Sequence, residues 1–357
     1  MSGAPALGVV IVTFDSADVI LDCLEGLLAA RGVALRIAVV DNASTDGTPD
    51  LLRDWAAGRR PYGPPPGLPF ALAPSPKPLP LAGEASVAGH RVELVEAGAN
   101  GGYAAGVNAG LARLLADPAL DRFWILNPDS LVPPDTPRLL AGAPGGFSLM
   151  GGRVLYLDTP DMIQIDGGTL DRRTGVTGNL HLGLSHAATP PPDPAAMDFV
   201  TGASMVASRA FVERAGPMPE DYFLYYEEVD WALRRGDLPL AYCEGALVYH
   251  RAGTAIGSPT LGRPASPFSL WFKHRARLRF LRRHFPRAVP MALLYSAAKA
   301  GQLAAGAHAA EAWAILSGSL NLPPPRAVRA RLSPEAQAIA FGRTPRVAGG
   351  AGGKTPR

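Results

Sequence analysis

Cysteine is scarce in this chain. Cys23 and Cys243 are the only two, they lie far apart, and no C-x-x-C pair exists. That excludes a disulfide framework, and both thiols, set in largely apolar stretches, read as buried and reduced. A reducing compartment follows as the expectation. Long apolar runs are also missing: no stretch reaches about 18 uninterrupted apolar residues. The nearest, Ala288 to Leu322, is broken by Lys299, Gln302, His308 and Glu311. Met1 to Leu7 lacks the basic start and long apolar run of a signal peptide. The expected location is the cytoplasm, with a peripheral place at the inner face of the plasma membrane left open. Strong charge of one sign is absent too, since the formal net charge is +3. Bulk charge therefore asks for no nucleic-acid partner. No internal repeat is found, and the excess of arginine over lysine is a compositional bias without functional content.

What is present suits a globular protein. Hydrophobic residues make up 47% and charged residues 18% of 357, which fits a packed core. The length allows one large domain plus an appendage. Leu7 to Val12 is an apolar run of the kind that makes a buried parallel strand. Ser16 offers an N-cap, and Val19, Ile20, Cys23, Leu24, Leu27 and Leu28 recur with helical spacing. Strands at Ile37–Val40, His90–Val95 and Phe123–Leu126 alternate with helices at Thr48–Ala57 and Tyr103–Ala116. This alternation predicts an α/β fold with a doubly wound, mostly parallel sheet. Residues 58–89 are Pro/Gly-rich and read as a surface insertion or stiff linker without structure of its own. Beyond Met150 the elements become shorter and mixed, with strands at Gly202–Arg209 and Leu240–Tyr249 and a helix at Glu228–Arg235. The expected organisation is a catalytic-type domain over 1–260, a basic then alanine-rich helical segment over 261–341, and a flexible tail over 342–357.

Ligands of open α/β sheets bind beyond the carboxyl ends of the strands. Polar residues gather there repeatedly: Thr13-Phe14-Asp15-Ser16, Asp41 to Gly47, and Asn127-Pro128-Asp129-Ser130. Any one of these is explained by a turn or cap; three on one rim point to a site. The first strand-to-helix turn has no G-x-G-x-x-G, and no G-x-x-x-x-G-K-[ST] exists, so dinucleotide and P-loop readings fail. Asn100 to Gly110 (NGGYAAGVNAG) is glycine-rich at a helix start. Free N–H groups there would suit a phosphate; a tight turn with close helix–sheet packing explains the same glycines.

The stretches VTFDSADVILDCLEGL, VVDNASTDGTPDLL, NGGYAAGVNAG and ILNPDS, followed by FVTGASMVASRAFVERAGPMPEDYFLYYEEVDWALRR and ALVYHRAGT, resemble the family 2 glycosyltransferases. Their order and spacing are those of the bacterial rhamnosyltransferase-like branch, and the resemblance spans Gly8 to Thr254. It implies a GT-A-like sheet with a mixed acceptor-side half and a C-terminal helical appendage. It implies a nucleotide-diphosphate sugar donor, Mg²⁺ or Mn²⁺, and a glycan or polyprenyl-linked acceptor. Nucleotide contacts are implied for Thr13, Phe14, Asp15, Asp41, Asn42, Asn100, Gly102, Gly106, Asn108 and Asn127, with Asp41 accepting from a uracil or thymine ring. Sugar contacts are implied for Gly202, Ala203, Tyr225 and Trp231. The chain departs from the family in its 58–89 insertion, in Asn127-Pro128-Asp129 where two aspartates are usual, and in Glu227-Glu228 where Glu-Asp is usual.

Glycosyl transfer asks for such residues. The leaving nucleoside diphosphate is anionic, and a hard divalent cation binds through one or two carboxylates plus the phosphates. Asp129 is the natural carboxylate, and the resemblance adds His250 as a second metal ligand. The acceptor hydroxyl needs a base. The resemblance assigns that role to Glu228, with Glu227 or Asp230 in support. Residues 271–285 mix arginines with aromatics and contain no acidic residue. Peripheral contact with an anionic membrane and packing of a basic helix on the domain remain equal readings of that segment. The reading is an inverting transferase acting on a hydroxyl of a cell-envelope glycan or lipid-linked acceptor, with rhamnose as a candidate sugar. One rival is a sugar-nucleotide nucleotidyltransferase, which would need a basic glycine-rich loop where this chain has VTFDSADV. The other is a catalytically inactive glycan-binding or scaffold relative, prompted by Asn127 and Glu228.

Overall fold

A computed structural model describes residues 4–83, 89–251 and 265–342. The chain opens with β1 (Ala6–Thr13), α1 (Ile20–Leu28), β2 (Ala34–Asp41), α2 (Thr48–Ala56), β3 (Arg91–Glu96), α3 (Tyr103–Leu115) and β4 (Arg122–Leu126). The apolar runs on β1, β2 and β4 are buried on both faces, as central parallel strands require. Strand order β3-β2-β1-β4 is all parallel. Helix α3 can lie close on β1 because Gly106 and Gly110 share one face. A Cβ at either would stand 2.5 Å from a methyl of Val12 or Val10. Ser16 does not cap α1 through its side chain; its carbonyl accepts from Val19 and Ile20 a turn earlier.

The second half is mixed. It runs β5 (Ser130–Leu131), α4 (Thr136–Gly142), β6 (Leu149–Tyr156), β7 (Ile163–Ile165), β8 (Gly168–Leu170), β9 (Thr177–Asn179), β10 (Ser204–Ser208), α5 (Arg209–Ala215), α6 (Glu227–Leu233) and β11 (Ala241–His250). The sheet continues β4-β10-β6-β11-β5, and β10 lies antiparallel to both neighbours. The hairpin loop after β9 is anchored by a buried cluster. Asp166 takes two bonds from Arg153 at 2.7 and 2.8 Å, one from Tyr242 at 2.9 Å, and contacts His181 at 2.7 Å.

The C-terminal segment forms α7 (Pro267–His284), α8 (Val289–Ala305), α9 (Ala309–Ser319), α10 (Arg326–Arg329) and α11 (Pro334–Phe341). It packs onto the sheet domain: Ala276, Leu278, Phe280 and Leu281 join the core formed by α3, β4 and β10. For most of its length the basic run 271–285 follows the packing reading. Arg275 and Arg277 are buried, donating to the Ala340 carbonyl and to Ser296 respectively. Arg283 is spent on Asp230 and Asp221. Among the described residues no helix is long and apolar enough to cross a membrane. The expected tail lies outside the described residues from 343 onward, as does Thr254.

The Pro/Gly-rich insertion has a definite place, contrary to its reading as a passive loop. Glu25 of α1 is completely buried, because Leu24 and Leu27 flank it in the core. Its carboxylate accepts from Trp55 Nε1 at 2.7 Å, from the Ser75 backbone N–H at 2.6 Å and from Lys77 Nζ at 3.0 Å. Lys77 also lies over the Trp55 ring at 4.1 Å. Leu79 is buried beside them, and its N–H donates to the Ala56 carbonyl. The strap then bridges antiparallel to β3 through Ala82 and Glu93. A buried carboxylate stripped of its cation is strongly destabilising. Lys77→Met should therefore cost on the order of 3 kcal/mol in chemical denaturation, and deletion of Pro61 to Ala82 should cost more. A deletion variant as stable as the parent would show that Glu25 finds other partners.

Candidate active site

The strand ends of the first half are laced together by side chains. Asp15 carries a positive φ of 48°, tolerated because its carboxylate accepts from the Thr45 N–H at 2.7 Å and its own N–H donates to Ser44 Oγ. Asp41 accepts from Thr13 Oγ1 at 2.8 Å and from the N–H and Oγ of Ser44. Thr13 and Asp41 are thus buried beneath the rim, and their polar atoms set the loop. Phe14, Asp15 and Asn42 reach the cleft above them.

The glycine-rich start of α3 resolves its two readings. The Gly102 N–H donates to Asn100 Oδ1 at 3.0 Å, and the Tyr103 N–H to the Phe223 carbonyl at 2.9 Å. Those two donors are occupied and are not free for a phosphate. Gly102 is required by contact: its φ is +91°, and a Cβ would sit 2.4 Å from Phe223 O. Asn42 Nδ2 donates to the Gly102 carbonyl at 2.9 Å. Asn108 and Gly106 are structural as well. Asn108 binds both polar backbone atoms of Met218, and Gly106 meets Val12.

Asp129 and His250 come together at the end of β4 and β11. His250 Nε2 stands 3.0 Å from Asp129 Oδ1 and 3.2 Å from Asn127 Nδ2, while Nδ1 faces Gln164 Oε1 at 2.8 Å. If Nδ1 carries the proton toward Gln164, the tautomer leaves the Nε2 lone pair facing Asp129. One carboxylate, one imidazole nitrogen and one amide fit a divalent cation that draws its remaining oxygens from a diphosphate. No cluster of three His, Cys, Asp or Glu side chains exists among the described residues.

The carboxylates of α6 divide by direction. Phe223, Tyr225 and Tyr226 all have positive φ, near 70°, a costly conformation for aromatic residues. This turn delivers Glu228 to the cleft. Glu227 is 3% exposed and its Oε2 has no hydrogen-bond partner among the described residues. Burial and the neighbouring Glu228 push Glu227 well above the ordinary carboxylate range. Burial also raises Glu228, opposed by backbone N–H groups at the helix start and by Lys273. Tyr103 senses Glu227, Glu228 and Asp129 together, and burial with these charges raises its hydroxyl. Its OH donates to the Gly202 carbonyl at 2.6 Å.

Asp230 and Trp231 leave the candidate list. Asp230 is fully buried away from the cleft and accepts from Tyr222 (2.7 Å), Arg234 (3.0 Å) and Arg283 (2.7 Å), with His284 at 3.0 Å. Trp231 is a core residue, edge-on to Phe211, with Nε1 donating to the Gly216 carbonyl. The cleft encloses about 1190 Å³ and joins Phe14, Asp15, Asn42, Asn100, Gly102, Asn127, Asp129, Ala203, Tyr225, Glu228 and His250. It also takes residues that sequence reasoning passed over: Gln164, Thr177 and Asn179 from the mixed half, and Phe268, Ser269 and Lys273 from α7. Lys273 had a signal, its place in the basic run, but nothing there separates it from its buried arginine neighbours.

Comparison with known proteins bears on the fold. Residues 8–65 match the family described as glycosyl transferase family 2. The chain is 26% identical over 165 residues to the low-salt glycan biosynthesis hexosyltransferase Agl10 of Haloferax volcanii. That match covers 43% of this chain and 50% of the relative, so the chain spans about half the relative's length. Its structure is similar to that of the mannosyltransferase PcManGT from Pyrobaculum calidifontis in complex with GDP-Man and Mn²⁺. The TM-score is 0.51 at 17% identity, over 89% of this chain and 88% of that one. GalNAc-T7 with UDP, GalNAc and Mn²⁺ gives a TM-score of 0.50 at 11% identity, over 85% and 52%. The fold is the GT-A fold of glycosyltransferases.

The Asp230 cluster generates a stability prediction. Burial raises the Asp230 carboxyl, but hydrogen bonds from His284, Tyr222 and Arg283 outweigh it and hold the group below the ordinary value of 3.8. A depressed carboxyl stabilises above its unfolded value and loses that contribution as pH falls through its folded value. Asp230→Asn should cost on the order of 3 kcal/mol near neutrality, and the gap from the parent should narrow below pH 3.8. Urea denaturation across pH measures both. A constant gap would mean that the charge of Asp230 contributes nothing.

Proposed function

We propose that this chain is an inverting glycosyltransferase that moves a hexosyl group from a UDP- or dTDP-sugar to a hydroxyl of a cell-envelope glycan or lipid-linked acceptor. One observation carries the reading: a single cleft holds the polar rim of a nucleotide-type sheet, the Asp129–His250 pair and the Glu228 carboxylate. The motif order makes dTDP-rhamnose the first donor to test.

The roles follow from position. Phe14, Asp15, Asn42 and Asn100 line the end of the cleft where the nucleoside would lie. Asp129, His250 and Asn127 would hold Mg²⁺ or Mn²⁺, which when bound supplies positive charge to the departing diphosphate. Tyr225, held through its hydroxyl to Ser269 at 2.7 Å, offers a ring face to a sugar. Glu228 takes the proton of the attacking hydroxyl, which approaches the anomeric carbon opposite the diphosphate. Glu227 is neutral when its raised carboxyl holds a proton, so it does not add a second negative charge beside the base. Lys273 favours the ionised form of Glu228.

A thermal-shift panel of UDP-, dTDP- and GDP-sugars with Mn²⁺ or EDTA tests the donor. Stabilisation by at least one nucleotide sugar, lost in Asp129→Ala, is expected; no shift with any donor overturns the reading. Glu228→Gln should lower turnover by about 10²–10⁴ with little change in donor affinity. Because the base works only when ionised and its carboxyl is raised, the parent rate should fall on the acid side at a pH above the ordinary glutamate value of 4.5. Lys273→Met should move that fall to higher pH, since it removes a charge that holds Glu228 down. An unmoved acid limb would assign Lys273 to packing alone.

A further inference from the structure

Helix α8 is apolar on nearly every side: VPMALLYSAAKAGQLAA carries one charge, Lys299. A helix of that composition is ordinarily buried all round. Here only Ala292, Ser296 and Ala300, one narrow stripe at intervals of four, are buried. The opposite stripe faces solvent, with Met291 53% and Leu294 65% exposed. The hairpin partner α9 adds Trp313 at 50%, and Leu320 just beyond it is 54% exposed. Scattered exposed apolar residues need no explanation, but large ones gathered on one helical hairpin do.

The charge around this hairpin is mainly of one sign, with Glu311 in the first turn of α9 as its one acidic residue. From Arg251 to Ala310 the sequence contains no aspartate or glutamate. Much of the basic charge in that stretch is consumed internally, as the buried Arg275 and Arg277 and the paired Arg283 show. Arg282 and Arg287, just before α8, and Lys299 within it are exposed and form no ion pair among the described residues. An apolar stripe with an aromatic residue and exposed cations at its start matches the chemistry of an anionic lipid headgroup layer. Apolar side chains enter the acyl boundary, tryptophan suits the interface, and cations near the surface are drawn to its negative charge.

We propose that the exposed face of the α8–α9 hairpin docks the protein on anionic membrane, with Met291, Leu294, Trp313 and Leu320 inserted and Arg282, Arg287 and Lys299 against phosphate headgroups. This inference is independent of the catalytic reading. It places the surface mainly one helix beyond the basic run, of which only Arg282, at the exposed end of α7, takes part. Docking there leaves the cleft free, since none of these seven residues lines it.

The test is co-sedimentation of the purified full chain with vesicles of phosphatidylglycerol and phosphatidylcholine, and with phosphatidylcholine alone. Binding to the anionic vesicles is expected, at least tenfold weaker on the neutral ones and weakened by 0.5 M salt, where screening is strong. Leu294→Glu with Trp313→Glu, and separately Arg282→Glu with Arg287→Glu, should each reduce binding tenfold or more. Both pairs are exposed, so folding should survive, and an unchanged melting temperature checks it. Absence of vesicle binding by the parent overturns the proposal, as does parent-like binding by the Leu294/Trp313 variant. A parent that is dimeric by sedimentation velocity, and made monomeric by the same variant, would instead assign the face to a second copy of the chain and equally overturn it.

Discussion

The hydrogen bond from the Tyr103 N–H to the Phe223 carbonyl is the seam on which the site depends. On one side lies the nucleotide-type half, ending in the glycine-rich turn before α3. On the other lies the left-handed aromatic turn that leads into Glu227 and Glu228. Gly102 lets the two backbones meet, because any side chain there would collide with Phe223. Asn42 and Asn100 grip Gly102 from its own half, and the Tyr103 hydroxyl reaches the Gly202 carbonyl across the same boundary. The donors of a helix start, which in many α/β proteins meet phosphate, here hold the position of a carboxylate. The strain of three aromatic residues in left-handed conformation is compensated by this fixation.

The helical segment is likewise part of the site. Asp230 ties α6 to α7 through Arg283 and His284, and Tyr222 completes the tie. Phe268, Ser269 and Lys273 then form one wall of the cleft. The stacked rings of Phe223 and Phe272, 5.2 Å apart, join the strained turn to α7. Position of the base and position of the wall are therefore coupled through one small set of contacts.

Much of this was legible in the sequence where periodicity is strong. The apolar run at Leu7–Val12 became β1, Ile37–Val40 lies within β2, and the helix at Tyr103 starts where expected. The polar strand ends did converge on one rim. What the motifs could not show is direction. Asp230 sits two residues past Glu228, roughly 200° round a helix, so the same acidic run points into the cleft and into the core. Asn108 and Gly106 were misread for the same reason: closeness to a motif does not say which face a residue takes. The short strands β5 and β7 to β9 had too few residues to show a period. Gln164 and Lys273 reach the cleft only through tertiary packing. Glu25 did leave a trace, an acid amid the apolar positions of α1, but its partners Ser75 and Lys77 come from a segment that composition alone describes as irregular.

That strap bears on the fate of the molecule outside its native state. β3 is the last strand of the sheet, and such an edge offers unpaired backbone groups to any other extended chain. Residues 81–83 occupy part of it, with the Leu94 N–H donating to the Leu81 carbonyl and the Gly83 N–H to the Val92 carbonyl. Pro78 and Pro80, just before these bonds, have no N–H to donate to a ladder, so the cover does not extend toward the N-terminus as a further regular strand. The buried Glu25 carboxylate thus works as a latch on a shield against intermolecular sheet growth, and a chain that loses the latch risks aggregation before it loses its fold.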